Sequence, residues 1–129
     1  MTITAYLSGI KKGEISMGRA DLLGSLEQEL RRGTLVLCAL GLLRRPMYGY
    51  HLVSTLAQKG VPVEAGTLYP LLRRLEGQGL LRSVWETDGA KPRKYYSLTP
   101  EGDAIYRQLQ EQWKQLSHSV EEIGKEEEK

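Results

Sequence analysis

The spacing of apolar residues changes twice along this chain, and this change of pattern constrains the fold. From Asp21 to Gln78, leucines recur three and four residues apart, the spacing of amphipathic helices. Residues 80–86 and 93–98 are instead short runs that contain Val, Trp and paired Tyr, and a Gly-containing loop joins them. Helical spacing returns from Pro100 onward. The sequence therefore predicts a mainly α fold with a small β-hairpin.

Five helical segments are predicted around this hairpin. Gly33 separates the first from the second, for which Thr34 is the expected N-cap. Gly60 is placed to close the third in a left-handed conformation. Thr99 and Pro100 are a cap and first-turn pair that begin the last segment. The predicted segments are, in order, about 21–32, 35–43, 48–59, 65–78 and 100–124.

The last helical segment carries a heptad pattern. From Leu109 to Ile123 its apolar residues are spaced 4, 3, 4 and 3, which is typical of a coiled-coil seam. A helix over 100–124 would be roughly 37 Å long at 1.5 Å per residue, longer than a small core can cover. We expect part of this stripe to pack on a second copy of the chain; the alternative is that it folds back on its own domain. The interface residues expected in this helix are Leu109, Trp113, Leu116 and Val120.

Composition narrows the possible functions. The 129 residues fit one domain. No apolar run approaches the roughly 20 residues that span a membrane, and the N-terminus lacks the pattern of a secretory signal, so we expect a cytoplasmic protein. The single Cys38, with His51 and His118, gives no metal-ligand spacing. We therefore expect no metal, no cofactor and no enzymatic activity.

The charge is distributed unevenly along the chain, although its net value is only +2. Residues 66–98 carry six Lys/Arg against three Asp/Glu, whereas residues 99–129 carry four against eight. A helix fits the major groove of DNA, and a basic loop beside it reaches the adjacent backbone. Three helices followed by a basic hairpin is the order of a winged helix-turn-helix. The residues expected to contact double-stranded DNA are Thr67, Tyr69, Arg73 and Arg74 on the helix and Lys91, Arg93 and Lys94 in the hairpin.

Four stretches of the sequence resemble the PadR family of bacterial transcriptional regulators. They are residues 48–52 (YGYHL), 66–76 (GTLYPLLRRLE), 79–81 (GLL) and 91–102 (KPRKYYSLTPEG). The resemblance covers about residues 34–113. It implies a homodimeric repressor that binds a palindromic promoter element, and the short C-terminal segment is similar to the smaller of the two main subtypes.

The residues and the resemblance together indicate how the chain is organised. Residues 1–18 show no sustained periodicity and contain three glycines, so they are expected to be an N-terminal arm or a poorly ordered tail. Residues 19–99 are expected to form the winged helix-turn-helix with an added N-terminal helix, and residues 100–129 the long dimerisation helix with a charged tail. By the same resemblance Tyr69 and its neighbour Pro70 face DNA. The residues through which the N-terminal helix is expected to join the dimer are Leu22, Leu26 and Leu30.

Two points of the resemblance bear on specificity and regulation. The family's usual His-Gly-Tyr-Glu is replaced here by residues 48–51 (YGYH), so the start of this helix is expected to contact different groups. Some small members of the family bind flat aromatic compounds between Trp side chains at the dimer interface, which makes Trp113 the candidate effector residue. The simpler interpretation, which we favour, is that Trp113 is an interface core residue.

Two other functions compete with DNA-binding regulation. One is a winged-helix module that recognises proteins and binds no nucleic acid, for which the basic hairpin residues are dispensable. The other is a small-molecule binding protein whose dimer cavity is its main function. The salt dependence of DNA binding distinguishes them from a regulator, because contacts with phosphate release counterions.

Overall fold

The structure is a computed structural model, which describes residues 18–126. Its elements are α1 (Arg19–Leu42), β1 (Met47–Tyr48), α2 (Gly49–Gln58), α3 (Ala65–Gly77), β2 (Leu81–Glu86), β3 (Arg93–Leu98) and α4 (Pro100–Glu126). The chain divides into two units between Gly33 and Thr34. Residues 1–17 of the predicted arm and residues 127–129 of the predicted tail lie outside the described residues. Within residues 18–126, no helix has the length and apolarity that crossing a membrane requires.

The predicted break at Gly33 is wrong, because α1 is one continuous helix of 24 residues. A single interior glycine costs a helix only about 1 kcal/mol relative to alanine. Its neighbours Arg31, Arg32 and Leu35 are good or adequate helix formers, and no proline interrupts the segment. Thr34 is therefore an interior helical residue and not an N-cap.

The first unit contributes the N-terminal part of α1. Its apolar side chains are exposed, among them all three that were assigned to the dimer: Leu22, Leu26 and Leu30. On this part of the helix, Arg31 and Glu27 form an ion pair one turn apart, with 3.3 Å between Nη2 and Oε2. An exposed pair of this kind adds only a few tenths of a kcal/mol. Within the described residues 18–33, the apolar stripe of this amphipathic segment is therefore uncovered.

The second unit holds the core, in which leucines from α1, α2 and α3 meet. Leu40 of α1, Leu52 and Leu56 of α2, and Leu68 and Leu72 of α3 are almost completely buried. The sheet and the last helix close this core with Tyr96 and Tyr106. Each fully buried leucine contributes on the order of 2 kcal/mol through loss of exposed apolar surface. Because one face of α3 is buried in this core, the opposite face of the helix points away from the core.

The hairpin was predicted, but the sheet contains a third strand. The order is β1-β3-β2 and both pairings are antiparallel. Tyr48 lies opposite Tyr95, and Val84 lies opposite Tyr95 on the other side. Two-residue β1 was missed because a strand of this length shows no alternation, and its residues had been assigned in part to the following helix. The two consecutive tyrosines of β3 alternate in burial, since Tyr96 is buried and Tyr95 only half-buried.

The junction of the hairpin with α4 is tightly built. The Thr99 hydroxyl accepts a hydrogen bond from the Gly102 amide (2.9 Å) and donates one to the Gly79 carbonyl (2.7 Å). The predicted cap at Thr99 is thus confirmed, and it satisfies one of the free amides of the first turn. Gly60 and Gly79 both adopt positive φ, at 87° and 80°, as expected for glycines that end helices.

Helix α4 changes its surroundings along its length. Tyr106 is buried and Leu109 packs against the core of the same unit. Beyond them the side chains are exposed: Trp113 retains 43% of its surface, Leu116 59% and Val120 61%. Four residues of this helix were assigned to the dimer. Leu109 is partly buried against the core of its own chain. Trp113, Leu116 and Val120 form an exposed stripe.

Candidate DNA-binding surface

One face of α3 is exposed because its opposite face is buried. Leu68, Leu71, Leu72 and Leu75 point into the core. Thr67, Pro70, Arg73 and Arg74 are exposed on the other side. Within the described part of the chain, neither arginine side chain makes a hydrogen bond or an ion pair. Both guanidinium groups are therefore free to donate to a partner outside the chain.

Helix α3 continues through Pro70, in the middle of the helix. Proline has no amide hydrogen, so the bond that residue 70 would donate to the carbonyl of Gly66 cannot form. Gly66 is exposed, which lets water satisfy that carbonyl. The first turn of α3 keeps its hydrogen bonds, because the amides of Thr67 and Leu68 donate to the Glu64 carbonyl at 2.9 and 3.0 Å.

Tyr69 differs from the other predicted contacts on α3, because it is half-buried. Its ring lies directly against the backbone of Gly49, the first residue of α2: a Cβ at Gly49 would overlap the ring carbon Cε1 and come within 3.0 Å of Cζ. Gly49 itself is buried. Because Gly49 has no side chain, the Tyr69 ring can occupy the space beside its backbone.

Replacing Gly49 with Ala should displace Tyr69 and lower the free energy of unfolding by about 1 to 3 kcal/mol, the usual cost of overpacking a tight contact. Chemical denaturation measures this loss. Gly66→Ala is the matched control, since it adds the same methyl group in a helix with no atom within 4 Å. Equal stability of the Gly49→Ala and Gly66→Ala proteins would show that Tyr69 moves aside freely.

The wing consists of β2, β3 and the loop over residues 87–92. Lys91 and Arg93, at the loop end of β3, are exposed. The Arg93 guanidinium lies over the ring of Tyr48, with Cζ 4.7 Å from the ring centroid. Within residues 18–126 this side chain makes no hydrogen bond or ion pair. The wing therefore presents two cations whose donors are unoccupied.

Lys94, the third predicted wing contact, is arranged differently. Its ammonium lies 3.4 Å from Glu76 Oε1 and 5.2 Å from the centroid of the Tyr96 ring. The Ser83 hydroxyl donates to the other oxygen of Glu76. The hydrogen bond from Ser83 and the positive charge of Lys94 hold the pKa of the Glu76 carboxyl below its usual range, although desolvation acts in the opposite direction. Lys94 thus ties the wing to α3, and its contact with DNA stays a prediction.

Sequence reasoning missed several residues of this surface. Glu76 links α3 to both strands of the wing, and Trp85 of β2 is 60% exposed beside the loop. Tyr48 supports Arg93 from β1. The contacts of Glu76 and Tyr48 arise from tertiary packing, which the sequence pattern does not show. Trp85, in contrast, is an aromatic residue in a basic hairpin and could have been selected from the sequence.

The predicted effector residue, Trp113, lies outside this surface. Trp113 lies on α4 with 43% of its surface exposed, in the stripe that continues with Leu116 and Val120. No group of His, Cys, Asp and Glu side chains within residues 18–126 has the arrangement of a metal site. Helix α3 and the wing thus present exposed cations without an internal acceptor, whereas α1 and α4 carry stripes of exposed apolar side chains.

The chain is similar to known transcriptional regulators. The model of the transcriptional regulator PadR-like family matches residues 36–108. A crystal structure of a PadR family transcriptional regulator from Eggerthella lenta is 53% identical, with a TM-score of 0.77 over 81% of this chain and 93% of that chain. The transcriptional regulator Rv3488 of Mycobacterium tuberculosis is 35% identical over 74 residues, which cover 57% of this chain and 69% of the relative.

A third comparison concerns a complex. The structure of Bacillus subtilis PadR with operator DNA is 26% identical, with a TM-score of 0.55, and the match covers 59% of this chain and 45% of that one. The winged helix-turn-helix that the sequence predicted is thus shared with solved regulators. With the family model matching more than half of its length, this chain belongs to the PadR-like family of transcriptional regulators.

Proposed function

We propose that this protein is a homodimeric repressor that binds a palindromic promoter element. Helix α3 enters the major groove with its exposed face, and the wing lies on the neighbouring phosphates. The observation that carries the proposal is the pair Arg73 and Arg74, exposed and without an internal partner on a helix whose other face is buried. The operator complex of the Bacillus subtilis relative supports it.

Four exposed cations of α3 and the wing make no hydrogen bond or ion pair within residues 18–126, and they divide into two groups by position. Arg73 and Arg74 lie in the second half of α3, and Lys91 and Arg93 lie on the wing. Arginine donates in a planar fork that matches phosphate oxygens and the guanine edge, so it suits both affinity and base recognition. Thr67 and Tyr69, nearer the start of α3, are the residues that we assign to specificity.

The dimer places two copies of this surface on one side of the assembly. A palindrome requires two related recognition helices about 34 Å apart, one turn of the duplex. The exposed stripes on α1 and α4 supply the apolar surface for association. Trp113 lies on the α4 stripe, where it contributes an aromatic anchor and, in the presence of a flat aromatic effector, a surface on which the ligand stacks.

Replacing Arg73 with Ala tests the surface directly. We expect the affinity for a duplex of the intergenic DNA upstream of its own gene to fall by about 5- to 100-fold, the range for loss of one base or phosphate contact. A gel shift measures it. Arg107→Ala is the matched control, because it removes one exposed arginine of α4 that is paired with Asp103; its affinity should stay within about two-fold.

The opposite result would remove this assignment. If Arg73→Ala and Arg107→Ala bound the fragment as tightly as the wild-type protein does, α3 would not be the recognition helix. If the wild-type protein bound no duplex at low salt, the protein-recognition alternative would take its place.

A further inference from the structure

Tyr48 is the centre of a small cluster on the sheet. Its ring lies 5.6 Å from the Tyr95 ring, edge to face at 67°, and 5.6 Å from the His51 ring at 42°. Pairing of β1 with β3 sets Tyr48 directly opposite Tyr95. The Arg93 guanidinium covers the Tyr48 ring at 4.7 Å. The ring that carries Arg93 is therefore itself held by two neighbours.

The next residue along the chain makes a contact of a different kind. Gly49 lies against the ring of Tyr69 on α3. Two consecutive backbone positions thus contact the wing and the recognition helix, the first through Arg93 and the second through Tyr69. Because consecutive Cα atoms are only about 3.8 Å apart across a planar peptide bond, these two contacts lie close together.

The contact with Tyr48 leaves Arg93 able to bind. The attraction between a guanidinium charge and a ring needs no hydrogen-bond acceptor, so it uses none of the five N–H donors. Within residues 18–126 no acceptor occupies them. An arginine that is already ordered loses less side-chain entropy when it meets a phosphate than one that is free to rotate.

We propose that Tyr48 is a positioning residue, which holds the Arg93 guanidinium where the wing meets a DNA phosphate. This role rests on the proposed DNA-binding function. Tyr48 contacts no DNA itself and acts only through Arg93, so its contribution should vanish when Arg93 is absent.

A double-mutant cycle tests this dependence. The probe is a mixed-sequence duplex of about 30 base pairs at low salt, because phosphate contacts do not require a specific operator. We expect Tyr48→Leu to weaken binding about two- to five-fold, as loss of an exposed cation–π contact does. Tyr48→Phe keeps the ring and should bind like the wild type. In the Arg93→Ala background, Tyr48→Leu should have no further effect.

A measurement on the free protein checks the geometry independently. In the wild type, the side-chain NMR signals of Arg93 should be shifted by the Tyr48 ring current, and its Nε–H should be ordered in relaxation measurements. Both signatures should be lost in Tyr48→Leu and retained in Tyr48→Phe. Unchanged Arg93 signals in Tyr48→Leu would overturn the proposal, whatever the DNA affinity.

The binding results separate the two proposals. If Tyr48→Leu weakened binding equally with and without Arg93, or if it tightened binding, Tyr48 would have no positioning role while the DNA-binding function stood. If Arg93→Ala alone had no effect, there would be no contact for Tyr48 to position. Absence of any DNA binding by the wild-type protein would overturn the proposed function and the role of Tyr48 together.

Discussion

Replacing Gly102 with Ala is expected to lower the free energy of unfolding by about 3 kcal/mol, at the upper end of the cost of overpacking. A Cβ at this position would overlap the carbonyl oxygen of Leu80 and lie 3.2 Å from Leu98 Cδ2. Backbone cannot move aside as a side chain can, and the Gly102 amide is held by Thr99. The first turn of α4 would have to leave the hairpin to which it is attached.

Thermal unfolding at a fixed protein concentration measures this effect, which corresponds to a fall in Tm of about 10 °C for a chain of this size. Gly77→Ala is the control, because Gly77 is helical and has nothing within 4 Å of its added methyl group. Its stability should be unchanged or slightly higher. If the Gly102→Ala and Gly77→Ala proteins had the same Tm, α4 would not be fixed to Leu80.

Replacing Leu116 with Asp is expected to convert the proposed dimer to a monomer at micromolar concentration. Leu116 lies in the exposed stripe of α4, between Trp113 and Val120 at heptad spacing. In a symmetric dimer each substitution appears twice, and burial of two unpaired carboxylates costs several kcal/mol. Loss of the second recognition helix should then weaken binding to a palindromic site by at least about 100-fold.

Analytical ultracentrifugation gives the mass of each species, and Gln115→Asp is its matched control. Gln115 is the exposed neighbour of Leu116 on the same helix, outside the heptad stripe. That variant introduces the same charge and should remain dimeric. A monomeric wild-type protein, or a dimeric Leu116→Asp variant, would place the contact between copies elsewhere.

Much of the fold could be predicted because local signals agreed with the tertiary structure. The bounds of β3 and the start of α4 were predicted correctly, since a change of apolar period and a Thr-Pro cap act over a few residues. Gly33 gave a misleading signal, because its small helix penalty was taken for a break. The two-residue β1 gave none, since it is a strand only through its pairing with β3.

The site could be predicted only as far as helical periodicity reaches. The exposed face of α3 follows from the spacing of its leucines, and Arg73 and Arg74 are on it as expected. Tyr69 is half-buried because Gly49 leaves room for its ring. Lys94 is paired with Glu76 across 18 residues of sequence. Contacts of this range depend on how the elements pack, which the sequence pattern does not specify.

The most direct test of the DNA-binding account is the salt dependence of affinity for the upstream duplex. The four exposed cations of α3 and the wing that lack an internal acceptor in each copy give about eight phosphate contacts for a dimer if all of them engage. The logarithm of the binding constant should then fall with the logarithm of salt concentration at a slope of about −7. Fluorescence anisotropy between about 50 and 200 mM salt measures that slope. A slope near zero, or no binding at the lowest salt, would contradict the account.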